Sequence, residues 1–308
     1  MLKGRDILSI WDLSRGELEE IFRVAEKLEP IKNGRQLSIA EGKVLATVFM
    51  EPSTRTRLSF TIAMLRLGGK VVDFGELEKT SVAKGETLAD TIRVIDGYGV
   101  DIIVLRHPND GASRLAAEIA RAPVINAGDG AREHPTQTIL DLYTIWRSLG
   151  RIDGLTVGIM GDLKYGRTPS SLLYGLSYFS NVKVKLIAPK QLQMREEVLD
   201  KVEGKVEYSI HEDLREVIRE LDVLYVTRIQ KERFPDPEEY EKVRKSYVVN
   251  LDSLKGCKDS LIVMHPLPRV DELSTELDNT RYAKYFDQSS NGVPVRAALI
   301  SLILGLEV

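Results

Sequence analysis

The sequence predicts an α/β protein made of two doubly wound parallel-sheet domains of similar architecture, joined by long linking helices. Three observations carry that prediction. Short β-rich apolar runs alternate with helical stripes along the chain, the alternation restarts after Gly150, and a cluster of polar residues follows almost every strand-like run.

Taken in order, the first element is a helix. Ser14 stands three residues before Glu17, the spacing of a capping box, ahead of Leu18, Ile21, Phe22 and Ala25. Residues 43–50 form a continuous apolar run, too short for a buried helix and right for a buried parallel strand. After the turn Glu51-Pro52-Ser53-Thr54, Leu58, Ile62 and Leu65 recur at helical spacing until Gly68-Gly69, and residues 70–74 resume as a strand. The same grammar gives a strand at 101–105, a helix at 112–120, a short strand at 123–126 and a long helix at 135–148, with Pro135 at its first position. Gly150 and Gly154 bracket the turn taken as the boundary. Beyond it, strands are expected at 155–160, 182–187, 223–226 and 261–264, with a helical stripe of Leu172, Leu173, Leu176 and Phe179 after the first. The apolar residues 297–306 predict a helix docked on a core. The expected domains are residues 1–149 with a C-terminal helix 290–308, and residues 150–289.

Composition narrows the function. The 308 residues carry 43 lysines and arginines against 46 acidic residues, a net charge of −3, so there is no global basic field for nucleic acid or an anionic membrane. Any anion must be held by a local cluster. The single Cys257 excludes an intramolecular disulfide and a cysteine-only metal site, and the four histidines do not pair with it at zinc-ligand spacing. Charges break every apolar stretch short of the roughly 18 residues of a membrane span, and the N-terminus has no signal pattern. A reducing, cytoplasmic setting is expected.

In open α/β sheets ligands sit outside the carboxyl ends of the strands. Ser53-Thr54-Arg55-Thr56-Arg57 enters a helix there, combining outward amides, the helix dipole, hydroxyls and guanidinium groups into a site for phosphate. Simple capping by Ser53 or Thr54 would account for one hydroxyl, not the run. Arg106-His107-Pro108 follows another strand. Gly161-Asp-Leu-Lys-Tyr-Gly166-Arg167-Thr168 is a near miss to the phosphate-cradling P-loop, with Arg167 at the lysine position and Asp162 inside the cradle, and fits better as an arginine-bearing loop for a carboxylate. Thr227-Arg228-Ile229-Gln230 and His265-Pro266-Leu267-Pro268-Arg269 follow the last two strands. His134 opens a helix, where its ring could reach a ligand or serve as an ordinary helix-end residue. His107 and His265 precede prolines and read as structural, while His211, in a charged stretch, reads as surface. Ser81 and Lys84 lie on a polar loop, either solvated or projecting into a site. Leu267-Pro268 is an X-Pro bond open to the cis form.

These motifs resemble the aspartate carbamoyltransferase catalytic chains nearly end to end. The resemblance runs through residues 51–60, 84–91, 105–108, 126–130, 134–138, 161–168, 227–233 and 265–269. The Ser-Thr-Arg-Thr run marks carbamoyltransferases generally, and the other segments decide the second substrate. The alternative acceptor is ornithine; the ornithine enzymes typically carry a cysteine where this chain has Pro266, and an ammonium side chain would be repelled by Arg167, Arg228 and Lys84. A P-loop-like nucleotide hydrolase and a catalytically silent scaffold are the remaining readings.

The resemblance implies transfer of a carbamoyl group from carbamoyl phosphate to the α-amine of L-aspartate, in pyrimidine biosynthesis, without metal or organic cofactor. It implies that Ser53, Thr54, Arg55, Thr56 and Arg106 hold the phosphate, helped by Ser81 and Lys84 of a neighbouring subunit. Thr56, Arg106 and His134 contact the carbamoyl oxygen, and Gln137 with the carbonyls of Pro266 and Leu267 binds the carbamoyl amine. Arg167, Arg228, Gln230, Lys84 and Leu267 hold aspartate, and Leu267-Pro268 is cis. Glu51 is then a candidate to pair with Arg167 or Arg233 on domain closure. The implied partners are identical chains in a homotrimer with shared active sites and, in some members, a separate regulatory chain.

Overall fold

The computed structural model describes residues 2–75, 84–130, 132–229 and 247–308. The chain divides into two compact units: Met1–Leu140 with Ser290–Val308, and Asp141–Ser289.

The first unit opens with α1 (Arg15–Lys27), whose capping box is formed as the spacing requires: Ser14 Oγ accepts the Glu17 amide, and the Glu17 carboxylate accepts the Ser14 amide. Then come β1 (Val44–Phe49), α2 (Thr54–Arg66), β2 (Lys70–Asp73), α3 (Leu88–Gly97), β3 (Ile102–His107), α4 (Ala112–Ile119), β4 (Val124–Asp129) and α5 (Pro135–Leu149). Its strands lie in the order β2-β1-β3-β4, all pairs parallel. Ala46, Val48, Ile103, Leu105 and Val124 form the buried sheet core with Ile92 and Ala116 of the helices. The strand expected at 123–126 continues to Asp129.

Leu58, Ile62 and Leu65 do lie on one face of α2, but that face is exposed, at 52%, 40% and 50%. The buried face is Thr56, Ser59, Phe60, Ala63 and Met64.

The second unit contains β5 (Thr156–Met160), α6 (Arg167–Leu176), β6 (Lys183–Ile187), the one-turn α7 (Glu196–Leu199), β7 (Glu207–His211), β8 (Val223–Val226) and β9 (Ile262–Met264). The strand order is β7-β6-β5-β8-β9, again parallel throughout. The edge strand β7 escapes the sequence reading because it has no apolar run: Tyr208 and Ile210 alternate with Ser209 and His211, and it is the polar pair that is half-buried. His211, expected at the surface, sits at its end half-buried, with Nε2 2.8 Å from Ser209 Oγ and Nδ1 2.9 Å from Glu216.

The chain closes with α8 (Tyr285–Leu304), which begins before the expected terminal helix and contains Pro294. The division between the compact units lies at Leu140/Asp141, within α5, and Asp141 accepts hydrogen bonds from Tyr225 and Gln288 of its own unit.

Candidate active site

Each sheet has one point where successive strands are added on opposite sides, and the outer end of that crevice is where open α/β sheets bind ligands. In the first sheet it lies between β1 and β3, in the second between β5 and β8. At the carboxyl ends of these four strands stand Ser53 with the first turn of α2 (Thr54 to Thr56), Arg106 near the end of β3 itself, Arg167 at the start of α6 and Arg228 just after β8.

In the first unit, Phe49 of β1 pairs in register with Arg106 of β3, and the Met50 amide donates to the Arg106 carbonyl at 2.8 Å. The chain then turns through Glu51 and Pro52 into α2. Ser53 takes the N-cap position with extended backbone, yet its side chain makes no capping bond, so capping does not account for its hydroxyl. The first-turn amides have no intrahelical acceptors, which leaves a donor cluster with the positive end of the helix behind it. Thr56 is buried and Arg55 exposed. Arg57 leaves the group, because its guanidinium pairs with Asp73 at 2.9 Å.

Arg106 is 9% exposed; Nη2 donates to Glu51 Oε1 at 2.8 Å and Nη1 to the Ala127 carbonyl at 3.2 Å. A guanidinium held on both edges is a fixed cation. The carboxylate on it is that of Glu51, a partner the sequence reading did not name; Arg233 lies outside the described residues. His134 is buried at the start of α5, its carbonyl accepting the Gln137 and Thr138 amides and Nδ1 lying 3.3 Å from Thr136 Oγ1. Its neighbour Glu133 accepts Ser9 Oγ at 2.9 Å and the Ile10 amide at 3.0 Å, which ties this corner to the N-terminal segment. Gln137 is half-buried. His107 is structural, as read: Nδ1 accepts the Asn109 amide at 3.0 Å, and burial lowers its imidazole below the ordinary histidine value. Lys84 is exposed, and Ser81 lies outside the described residues.

In the second unit, the two glycines of the P-loop near miss serve packing. Gly161 has φ +121°, and a Cβ there would lie 2.2 Å from the Thr227 carbonyl oxygen. A Cβ on Gly166 would lie 2.6 Å from the Asp162 carbonyl. Asp162 is buried and accepts the Tyr165 amide at 2.9 Å, closing the loop on itself. The resulting turn is shorter than the sequence suggested, since α6 begins at Arg167. Arg167 thus occupies the first helical position, and Thr227, which donates from both N and Oγ to the Met160 carbonyl, holds the neighbouring exposed Arg228 beside the same strand end. Gln230 lies outside the described residues.

After β9, Leu267-Pro268 is cis and Leu267 has φ +54°. The Leu267 amide donates to His265 Nδ1 at 2.8 Å, which assigns the ring proton to Nε2, where it is donated to Glu272 at 2.8 Å. Glu272 is buried; burial pushes its carboxyl up, but the His265 bond and backbone amides outweigh that and hold it below the ordinary glutamate value. His265 is therefore the structural residue expected, and what it shapes is the Pro266–Leu267 backbone.

Two supports were missed in sequence. Arg296, buried in α8, donates to Ser59 Oγ, which donates to the Arg55 and Thr56 carbonyls and so braces the first turn of α2. Asp141, fully buried in α5, receives the Tyr225 hydroxyl and Gln288. The available signal was an ionic residue interrupting an otherwise apolar helical face.

Comparison with known proteins agrees across the chain. A family model described as aspartate/ornithine carbamoyltransferase, carbamoyl-P binding domain, matches residues 5–147, and its companion Asp/Orn binding domain matches residues 153–303. The chain is 56% identical over 306 residues to the aspartate carbamoyltransferase catalytic subunit of Thermococcus kodakarensis, covering 99% of this chain and 98% of that one. Among solved structures, the catalytic subunit of M. jannaschii aspartate transcarbamoylase has a TM-score of 0.92 and 52% identity over 98% of both chains. The Trypanosoma cruzi aspartate transcarbamoylase in complex with carbamoyl phosphate and aspartate has a TM-score of 0.93 and 41% identity over 98% of both chains.

Proposed function

The chain belongs to the aspartate/ornithine carbamoyltransferase family, and from that premise we propose that it transfers the carbamoyl group of carbamoyl phosphate to the α-amine of L-aspartate. The products are N-carbamoyl-L-aspartate and phosphate, a step of pyrimidine biosynthesis. The observation that carries the acceptor is that the two loops flanking the second sheet's switch point each bear an arginine, Arg167 and Arg228, a pair suited to two carboxylates.

In this reading the first unit holds the donor. The α2 amides, Ser53, Thr54, Arg55 and Arg106 bind the phosphate, with Ser81 and Lys84 added by a neighbouring subunit. Thr56, Arg106 and His134 face the carbamoyl oxygen, where negative charge develops as the amine adds to the carbonyl carbon. Gln137 and the Pro266 and Leu267 carbonyls accept from the carbamoyl amine. A C–N bond forms, the C–O bond to phosphate breaks, the phosphate leaves with its electron pair, and the proton lost by the attacking amine goes to that phosphate. The second unit holds aspartate through Arg167, Arg228, Gln230 and the Leu267 backbone. The protein's part is alignment, neutralisation of two anions and stabilisation of one oxyanion.

The assembly that fits is a homotrimer with shared sites in the cytoplasm. Its support is the exposed apolar face of α2 and Lys84, which is exposed and has no ion-pair partner among the described residues. A separate regulatory chain is a further partner, suggested by the relatives' designation as catalytic subunits. Among the described residues no helix is long and apolar enough to cross a membrane.

The test offers carbamoyl phosphate with L-aspartate or L-ornithine to purified protein and measures ureido product. Turnover with aspartate alone is expected; turnover with ornithine alone overturns the assignment of Arg167 and Arg228.

A further inference from the structure

A chain of buried hydrogen bonds inside the second unit joins the loop bearing Arg167 to the loop bearing Leu267. Thr168, next to Arg167, bonds the Tyr225 hydroxyl, and that hydroxyl donates to Asp141 Oδ2 at 2.8 Å. Gln288 Nε2 donates to Asp141 Oδ1 at 2.7 Å, and Gln288 Oε1 accepts the His265 amide at 2.8 Å. His265 Nδ1 then accepts the Leu267 amide at 2.8 Å. Tyr225, Asp141, Gln288 and His265 are each buried to about 1% exposure or less. These groups come from five separate segments: α6, β8, α5, α8 and the turn after β9.

Such a chain is costly to bury unless every member is bonded, and once bonded it admits little slack. Asp141 is its node, because its two oxygens receive one donor from each side. We propose that Asp141, with Tyr225 and Gln288, is a positioning residue that sets the spacing between Arg167 and the Leu267 backbone, and so the fit of the acceptor dicarboxylate. The proposal rests on the reading that these two loops bind aspartate. Core packing alone would make each bond matter to stability separately. A brace makes the two halves fail together, since cutting either end releases the same spacing.

The experiment uses the full-length enzyme with Tyr225→Phe, Gln288→Met and the double substitution. Each single change is expected to raise the aspartate KM by about tenfold, and the double change by no more than the larger single effect. The inhibition constant of inorganic phosphate, whose proposed ligands are in the first unit, stays within about twofold of the parent. Should Gln288→Met not fold, Asp141→Asn takes its place in the cycle, and Tyr225→Phe then adds nothing to it. An aspartate KM that is unchanged while the melting temperature falls, or single effects that multiply in the double variant, overturns the brace. If the parent enzyme itself does not turn over aspartate, the acceptor assignment fails instead, so the two failures are distinguishable.

Discussion

Gly161→Ala isolates the geometry on which the acceptor site depends, because it adds one carbon where the β5 loop meets the β8 loop. The new Cβ would stand 2.2 Å from the Thr227 carbonyl oxygen and 2.6 Å from Thr227 Oγ1, at φ +121°. Real Cβ atoms essentially never approach closer than 3.0 Å and ordinary contact begins at 3.4 Å, so the two strand ends must part by about 1 Å. The neighbour is backbone, which cannot swing aside as a side chain would. The unfavourable φ alone costs on the order of 1–3 kcal/mol. For a unit of this size that corresponds to a fall in melting temperature of about 3–10 °C. A shift of about 1 Å at a substrate clamp can lower rate by about 10²-fold. Arg167 and Arg228 flank the parted strands, so kcat/KM for aspartate is expected to fall by that factor. Steady-state assays varying each substrate in turn, with calorimetry on the same samples, provide the check. A folded variant with its aspartate kcat/KM within about threefold of the parent would refute the role given to these two loops.

Four other outcomes follow from the same structure. Arg55→Ala removes a cation from the leaving phosphate and should lower turnover by roughly 10²-fold or more, with near-normal turnover refuting the phosphate assignment. Mixing inactive Lys84→Ala and Arg55→Ala chains should restore part of the activity, because some hybrid interfaces regain both groups; no recovery after verified subunit exchange speaks against a shared site. Ile62→Glu, on the exposed face of α2, should shift the sedimenting species to lower mass, and an unchanged mass would remove that face from the assembly. Burial raises the Asp96 carboxyl, but the Ala122 amide and Arg121 outweigh it and leave the carboxyl below the ordinary value of 3.8. Its stabilisation is therefore complete above that value and lost as pH falls through the lower folded one. Asp96→Asn should cost about 1–3 kcal/mol at neutral pH, with the gap to the parent closing in urea unfolding at strongly acid pH.

Much of this was legible in the chain because a parallel sheet separates its signals cleanly. Buried strands read as apolar runs, and the polar residues that follow each run fall on one edge, so Ser53 to Thr56, Arg106, Arg167 and Arg228 could be named before any fold was known. Periodicity was less informative about destination. The spacing of Leu58, Ile62 and Leu65 reports a helix face that avoids water, but not whether the chain's own core or another surface covers it. The glycine spacing at 161 and 166 mimicked a phosphate loop because both motifs need close backbone approach, one to a ligand and the other to Thr227 and Asp162. Asp141 and Arg296 went unread since the partners that make a buried ionic residue tolerable are far away in sequence: Gln288 for the one, Ser59 for the other.

The return of α8 to the first unit bears on the order in which a growing chain can fold. Ala297, Ala298, Leu299 and Ile300 are fully buried, and the Ile303 carbonyl accepts the Gly4 amide at 2.8 Å. A segment made early therefore waits for one made late. Residues 141–289 are all made before the returning part of α8, Ser290 to Leu304, so the unit begun second is the one whose sequence is completed first. A polypeptide stopped short of Ser290 would carry every phosphate-binding group assigned here in its first 140 residues and still lack most of the helix that closes the core around them.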